Sequence, residues 1–232
     1  MNRQRPWSGS VDRPPRRALY KRPLDFVILA TAHTFPLLLP IWIVLWTLIP
    51  LLIWLEDRGP IFYKQKRVGR NESEFTLRKF RTMRSGQKEG ERTIPVTDHD
   101  PRVTRVGRFL RRTALDELPQ ILSILKGDMS FVGPRPMPLD FHQQFLEMSP
   151  VAYRRVLVRP GLSGMAQVYG AYDSKFTDKL DYDLLYLEKM SLWLDVKLLI
   201  ASVWKTISGK WEMGSQEEDR AQTVSSNVKE DR

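Results

Sequence analysis

Two carboxylates stand side by side in RRTALDELPQ (residues 111–120), just after a pair of arginines and just before a proline, in a chain of formal net charge +10. Asp116 and Glu117 have two physical readings. Thr113 to Asp116 fits the Ser/Thr-x-x-Asp/Glu capping pattern, but a helix starting at Ala114 would carry Pro119 deep in its interior, where proline is costly. With Asp116 as N-cap, Pro119 falls in the first turn and is tolerated, so the spacing predicts Asp116 at a helix N-terminus. The second reading uses the same place for chemistry. Backbone N–H groups and the positive end of the helix dipole suit phosphate. A carboxylate there can attack phosphorus to give an acyl phosphate. Its neighbour can share in holding Mg²⁺, a cation usually bound by one or two carboxylates plus substrate phosphates. Cations for the phosphates are near in sequence: Arg111, Arg112, and Arg135 on the proline-stiffened GPRPMP loop. Phosphoryl transfer is mostly positioning plus electrostatics, which is what such a loop offers.

Other acidic and basic groups compete for attention. Asp98-His99-Asp100 and Asp181-Tyr182-Asp183 each contain D-x-D, a short metal motif, although Asp100-Pro101 also starts a turn. Lys79 and Arg81 end an alternating segment, EFTLRKFRTM, and face either substrate or solvent.

The elements that must hold these groups divide into a membrane segment and a catalytic domain. The 232 residues suffice for one domain with an appendage. The absence of cysteine excludes disulfides and thiolate metal sites. An excess of 37 Lys+Arg over 27 Asp+Glu suits polyanions: nucleic acid, anionic lipid or phosphorylated substrates. Nucleic acid fits worst, because the arginines flank acidic pairs and no aromatic-basic platform accompanies them. Residues 1–20 read as a disordered basic tail, 21–58 as a membrane helix, 59–212 as a domain of soluble composition and 213–232 as a disordered polar tail.

From Phe26 to Leu55 no side chain is charged, with His33 counted neutral. A bilayer core about 30 Å thick needs roughly 20 apolar residues as helix, so the segment is long enough to span. Pro36, Pro40 and Pro50 interrupt it. Both flanks are basic: Arg16, Arg17, Lys21 and Arg22 before, Arg58, Lys64, Lys66, Arg67 and Arg70 after. A simple span would put one cluster on the wrong face. A helix that enters, breaks at Pro36 or Pro40 and leaves by the same face satisfies both, so re-entry is expected over a single-pass anchor. His33 is expected to bond a freed backbone carbonyl.

In the catalytic domain, strands are expected around Ile61-Phe62-Tyr63 and over EFTLRKFRTM, with a loop over 85–100. Helices are expected over 103–112, 117–126 with Gly127 as its stop, 139–148, 178–190 and 192–207. RPGLSGMAQV reads as a Gly-rich turn into a strand. Trp193, Trp204 and Trp211 share one helical face, which suits either a membrane surface or a core.

KRPLD (21–25), the apolar segment, GPIFYKQKRVGRN, FTLRKFRTM, TALDELPQILSILKGDMSFVGPRP and VRPGLSGMAQVYG follow one another in that order. Over about residues 21–212 this resembles the bacterial sugar transferases, in the small monotopic phosphoglycosyl transferase form. The resemblance implies an α/β (α+β) catalytic domain with an N-terminal proline-broken re-entrant membrane helix and interfacial amphipathic helices, at the cytoplasmic face of the bacterial inner membrane. It implies transfer of a sugar 1-phosphate from a UDP-sugar to a polyprenyl phosphate such as undecaprenyl phosphate, with UMP released and Mg²⁺ as cofactor, as an initiating step of exopolysaccharide, lipopolysaccharide or other glycoconjugate synthesis. It makes Asp116 the nucleophile and gives Glu117, with Asp116, the metal and phosphate site. It places Arg111, Arg135 and Arg159 at phosphates and nucleotide; Lys79 and Arg81 are counted as further substrate-binding residues from their place at the strand end, not from the resemblance. It sets Lys21, Arg22 and Asp25, with Pro36 and Pro40, at the lipid-phosphate interface. Membrane lipid is a further partner, and a homo-oligomer is compatible. The Ser-Pro pair usual in that family's membrane helix is missing here. Two rivals remain: a D-x-D glycosyltransferase releasing UDP, and a non-catalytic basic membrane adaptor.

Overall fold

The computed structural model describes residues 18–35, 38–85, 100–170 and 176–208. Pro36, Asp98, His99 and Trp211, most of the expected loop at 85–100, and the expected tails, apart from residues 18–20, lie outside them. Two helices open the described chain, α1 (Lys21–Thr34) and α2 (Leu39–Asp57). α1 stops at Thr34 and α2 starts at Leu39, with Phe35 extended after α1. In a continuing helix the Ala32 carbonyl would accept from residue 36, which is proline and has no N–H. The Trp42 indole supplies the missing donor, reaching Ala32 O at 2.5 Å. His33 stacks on Trp42 with ring centroids 4.3 Å apart, and its Nδ1 meets the Leu29 carbonyl at 2.8 Å. Pro40 stands in the first turn of α2, where proline is tolerated, and α2 runs on through Pro50.

A hairpin follows, β1 (Phe62–Val68) antiparallel to β2 (Glu74–Phe80) with Tyr63 opposite Lys79. Then come α3 (Arg105–Arg112), a 3-10 segment Leu115–Gln120, α4 (Ile121–Lys126), β3 (Ser130–Val132), α5 (Leu139–Met148), another 3-10 segment Pro150–Leu157, β4 (Gly161–Ser163), α6 (Met165–Tyr169), α7 (Phe176–Lys189) and α8 (Leu192–Ile207). The mixture of helices and small sheets is the expected class. Two expectations change. Residues 117–126 are not one helix but a 3-10 turn joined to a short α-helix. MAQV is helical, and only Gly161–Ser163 forms a strand, parallel to β3. Gly161 permits that pairing: a Cβ there would lie 2.0 Å from the Gly133 nitrogen.

β2 organises the packing because its two faces serve different neighbours. Phe75 and Leu77 bury with Leu29 of α1, Ile121 and Ile124 of α4, and Met129. Phe80, on the opposite face, buries with Leu110 of α3 and with Ile49 and Ile53 of α2. A third cluster joins α7 and α8 to β3 through Leu184, Leu187, Leu198 and Val132.

Polar ties hold α1 and α2 to this same body. Lys21 donates to Asp195 of α8 at 2.8 Å and to the Val132 carbonyl at 2.6 Å. Asp25 accepts from Ser130 Oγ at 2.9 Å and from Phe131 N at 3.0 Å. At the end of α2, the Glu56 carboxylate accepts from the Arg105 and Val106 amides, capping α3. Lys21→Met would leave Asp195 buried and uncompensated. The expected cost is about 3–5 kcal/mol of stability, read as a fall in thermal unfolding temperature of the purified protein in nanodiscs.

Candidate active site

Side-chain alternation along β2 leads from the core to the site. Phe75 and Leu77 pack on α4. The next residue on their face, Lys79, therefore lies over the 3-10 turn that precedes α4. There its Nζ pairs with Glu117 Oε1 and stands 3.8 Å from Asp116 Oδ2. From the Pro-Arg-Pro loop after β3, Arg135 Nη2 reaches the same Glu117 oxygen at 3.0 Å. Glu117 Oε1 thus bridges two cations.

The turn carrying the dyad is sharper than a capped helix start. Ala114 takes the left-handed conformation, φ 54°, and no side chain caps the turn. Asp116 is accordingly not an N-cap. It lies inside the first 3-10 turn, with Pro119 tolerated further along it. A non-glycine residue at positive φ is strained by about 1–3 kcal/mol and persists where the surroundings over-determine it. Here α3 on one side and the α4–β2 core on the other do so.

The two carboxyls differ electrostatically. Burial pushes Asp116 above the ordinary carboxylate value, and Glu117 adds to that, against the opposing pull of Lys79, Arg111 and Arg135. Burial acts on Glu117 too, but Arg135 and Lys79 outweigh it and hold its carboxyl at about 2. Glu117 is the fixed anion. Asp116 is the less stabilised one, with more to gain from transferring its charge to an electrophile.

Arg111 comes from the last turn of α3 and donates from Nε to Thr82 Oγ1 at 2.9 Å, close enough to act on Asp116. Arg81 is turned elsewhere: it pairs with Asp57 at the end of α2 at 3.4 Å and donates to Ser85. Arg159 donates to the Gly127 carbonyl at 2.8 Å, while Arg22 takes the Ile124 and Leu125 carbonyls. These two arginines close the C-terminal end of α4, where cations suit the helix dipole. Asp100 makes a turn with Arg102, accepting from its amide at 2.8 Å. Asp183 is buried in an ion pair with Arg155, 2.7 Å long. Asp98 and His99 of the first D-x-D segment lie outside the described residues, and among the described residues no group of three or more His, Cys, Asp or Glu could hold an ion.

Beyond the dyad, the far side of the Pro-Arg-Pro loop borders a cleft of about 300 Å³ including its open mouth, lined among others by Val68, Arg135, Met137, His142 and Val158. The surface around α2 and α8 is apolar. Leu39, Ile41, Ile43, Val44 and Leu48 are exposed on α2, a helix long and apolar enough to cross a membrane. On α8, Trp193 and Trp204 are each 66% exposed, which settles their place as surface rather than core.

Comparison with known proteins places the chain among sugar transferases. The bacterial sugar transferase family matches residues 16–209. The chain is 38% identical over 205 residues to the UDP-N-acetylgalactosamine-undecaprenyl-phosphate N-acetylgalactosaminephosphotransferase of Aeromonas hydrophila, covering 87% of this chain and 47% of that protein. It is 39% identical to a UDP-glucose:undecaprenyl-phosphate glucose-1-phosphate transferase of Caulobacter vibrioides, covering 80% and 68%. It is 37% identical to EpsL, an uncharacterized sugar transferase of Bacillus subtilis, covering 76% and 84%. The chain spans about half the length of some of the curated relatives it matches. The match over nearly the whole described chain, dyad and Pro-Arg-Pro loop included, makes this protein a member of the bacterial sugar transferase family.

Proposed function

We propose that this protein is a phosphoglycosyl transferase, moving a sugar 1-phosphate from a UDP-sugar to a polyprenyl phosphate such as undecaprenyl phosphate, by way of an aspartyl phosphosugar. The observation that carries the reading is the buried Asp116–Glu117 pair set against Lys79, Arg111 and Arg135. The relatives' names, which join UDP-sugars to undecaprenyl phosphate, supply the substrate classes.

In the first step an Asp116 oxygen attacks the sugar-bearing phosphorus. The bond from that phosphorus to the oxygen shared with the nucleotide's phosphate breaks, and UMP departs with the electron pair. In the second step an oxygen of the polyprenyl phosphate attacks the same phosphorus and Asp116 leaves as a free carboxylate. The product is a polyprenyl diphosphate sugar. Lys79, Arg111 and Arg135 oppose the charge of the diphosphate. Glu117 keeps Lys79 and Arg135 in place.

Mg²⁺ fits the donor set. Glu117 Oε1 takes both cations and leaves Oε2, and the Asp116 carboxylate meets Lys79 only at 3.8 Å. Two carboxylates completed by substrate phosphates are a usual magnesium site. Bound there, the ion would offset charge on the diphosphate.

The same reading makes the apolar segment a re-entrant hairpin at the cytoplasmic face of the inner membrane. Leu29 and Ile49 are both buried in the domain. From Leu29 to the end of α1 is about 8 Å of helix, and from Ile49 back to the start of α2 about 15 Å. Neither distance crosses a hydrocarbon core of about 30 Å. The pathway position is the initiating step of exopolysaccharide or lipopolysaccharide-type synthesis.

The test is nucleotide release from the purified protein in nanodiscs with Mg²⁺ and a panel of UDP-sugars. UMP stoichiometric with enzyme without acceptor, and catalytic once undecaprenyl phosphate is added, is the expected result. UDP as product would sink the reading in favour of direct glycosyl transfer. Binding of vesicles with no turnover across the panel would favour an adaptor.

A further inference from the structure

Arg135 can meet Glu117 only if the Pro-Arg-Pro loop is held still, and the loop's backbone is gripped from two sides. Arg67 of β1 donates from Nη1 to the Pro136 carbonyl at 2.8 Å and from Nη2 to Gln65 Oε1 at 2.6 Å. Arg155, from the 3-10 segment 150–157, donates from Nη2 to the carbonyl of Arg135 itself at 3.0 Å, and its Nη1 meets Met137 Sδ. Its Nε is taken by Asp183 of α7 at 2.7 Å. The Arg155 and Asp183 side chains are 8% and 3% exposed.

A buried ion pair is a poor device for stability, since an apolar pair of like volume is often as good or better. What an apolar pair lacks is the rest of the guanidinium fork. Here that fork lands on the loop that presents Arg135. We infer that Asp183 and Arg155 are positioning residues for the transfer reaction: Asp183 orients the Arg155 plane, and Arg155 fixes the loop so that the Arg135 guanidinium faces the dyad and the substrate diphosphate. This rests on the phosphoglycosyl transfer proposed above. It also gives the second D-x-D motif a use unrelated to metal.

Two variants of the full chain in nanodiscs test it. Arg155→Lys keeps a charge for Asp183, but one ammonium cannot span both Asp183 and the Arg135 carbonyl. Asp183→Asn keeps the shape and an acceptor while removing the charge that orients the Arg155 Nε. For both variants, hydrogen exchange of the Val68 and Gly161 amides, which donate to the loop carbonyls of Met137 and Pro134, is expected to quicken at least tenfold, with α8 peptides unchanged. In the UMP assay kcat/KM for the UDP-sugar is expected to fall at least tenfold, while KM for undecaprenyl phosphate stays within twofold. Unchanged exchange of these two amides in both variants would overturn the inference. So would activity lost only in proportion to folded protein, with both KM values intact. A wild-type protein that releases no UMP would overturn the proposed reaction alone, and exchange of the two amides would still decide whether the pair holds the loop.

Discussion

Asp116→Asn is expected to lower UMP formation by at least about three orders of magnitude, with no loss of fold. An amide of the same shape cannot form the acyl phosphate. The Asp116 side chain is 13% exposed and burial raises its carboxyl, so in the folded protein the charge is held at a cost. Folding therefore favours the neutral form, and asparagine, neutral at every pH, should leave the unfolding temperature equal or higher at neutral pH. A large loss of activity without loss of stability marks a chemical rather than a structural role. The partner experiment is mass spectrometry of enzyme quenched with UDP-sugar and no acceptor. A sugar-phosphate adduct is expected on the wild type and absent from Asp116→Asn. An adduct that survives in Asp116→Asn would hand the nucleophile's role to Glu117 and reverse the assignment. Unimpaired turnover, with loss on Asp181→Asn instead, would favour the D-x-D rival.

Much of the architecture was legible because its causes are local. The uncharged run 26–55 and the apolar spacing of 178–190 and 192–207 act over a few residues, and α1, α2, α7 and α8 stand where they point. Gly127 ends α4 in the left-handed conformation, φ 90°, as a stop signal should. The dyad's own turn was less legible. A capping pattern weighs only the residues between Thr113 and Pro119, whereas the turn is set by Ile121 and Ile124 packing on β2, some forty residues away in sequence. The basic residues divide in the same way. Lys79 could be placed once Phe75 and Leu77 were known to be inward. Arg81 has the same parity, but it lies past the end of the strand and turns to Asp57. Arg155 and Asp183 carried no sequence signal of pairing, because what joins them is the packing of α7 against the 3-10 segment 150–157. Arg159 belongs to a quotable motif, yet its described bond is to a helix end, and Gly161 beside it is needed for backbone approach to Gly133.

Lys79→Met should change both the height and the shape of the pH profile. Lys79 opposes the burial that raises Asp116, so its removal moves the Asp116 carboxyl further up. Attack requires the ionised form. The acid limb of kcat/KM for the UDP-sugar reports free enzyme, and in the wild type it should lie above the ordinary carboxylate value of about 4. In Lys79→Met it should move to higher pH, because less Asp116 is ionised at any given pH. Even on the plateau the rate should stay about 10²–10³-fold low, the usual loss when one fixed charge-stabilising donor is removed. Glu117 provides the internal contrast. Its carboxyl lies at about 2, held there by Arg135 and Lys79 together, so it stays ionised in the variant and contributes no limb in the working range. Lys79→Arg separates charge from geometry: the acid limb should return toward the wild-type position while the plateau recovers only in part, since a planar fork does not fill the place of an ammonium between two carboxylates. An acid limb that stays put in Lys79→Met would mean that Asp116 is not the group whose ionisation limits the first step.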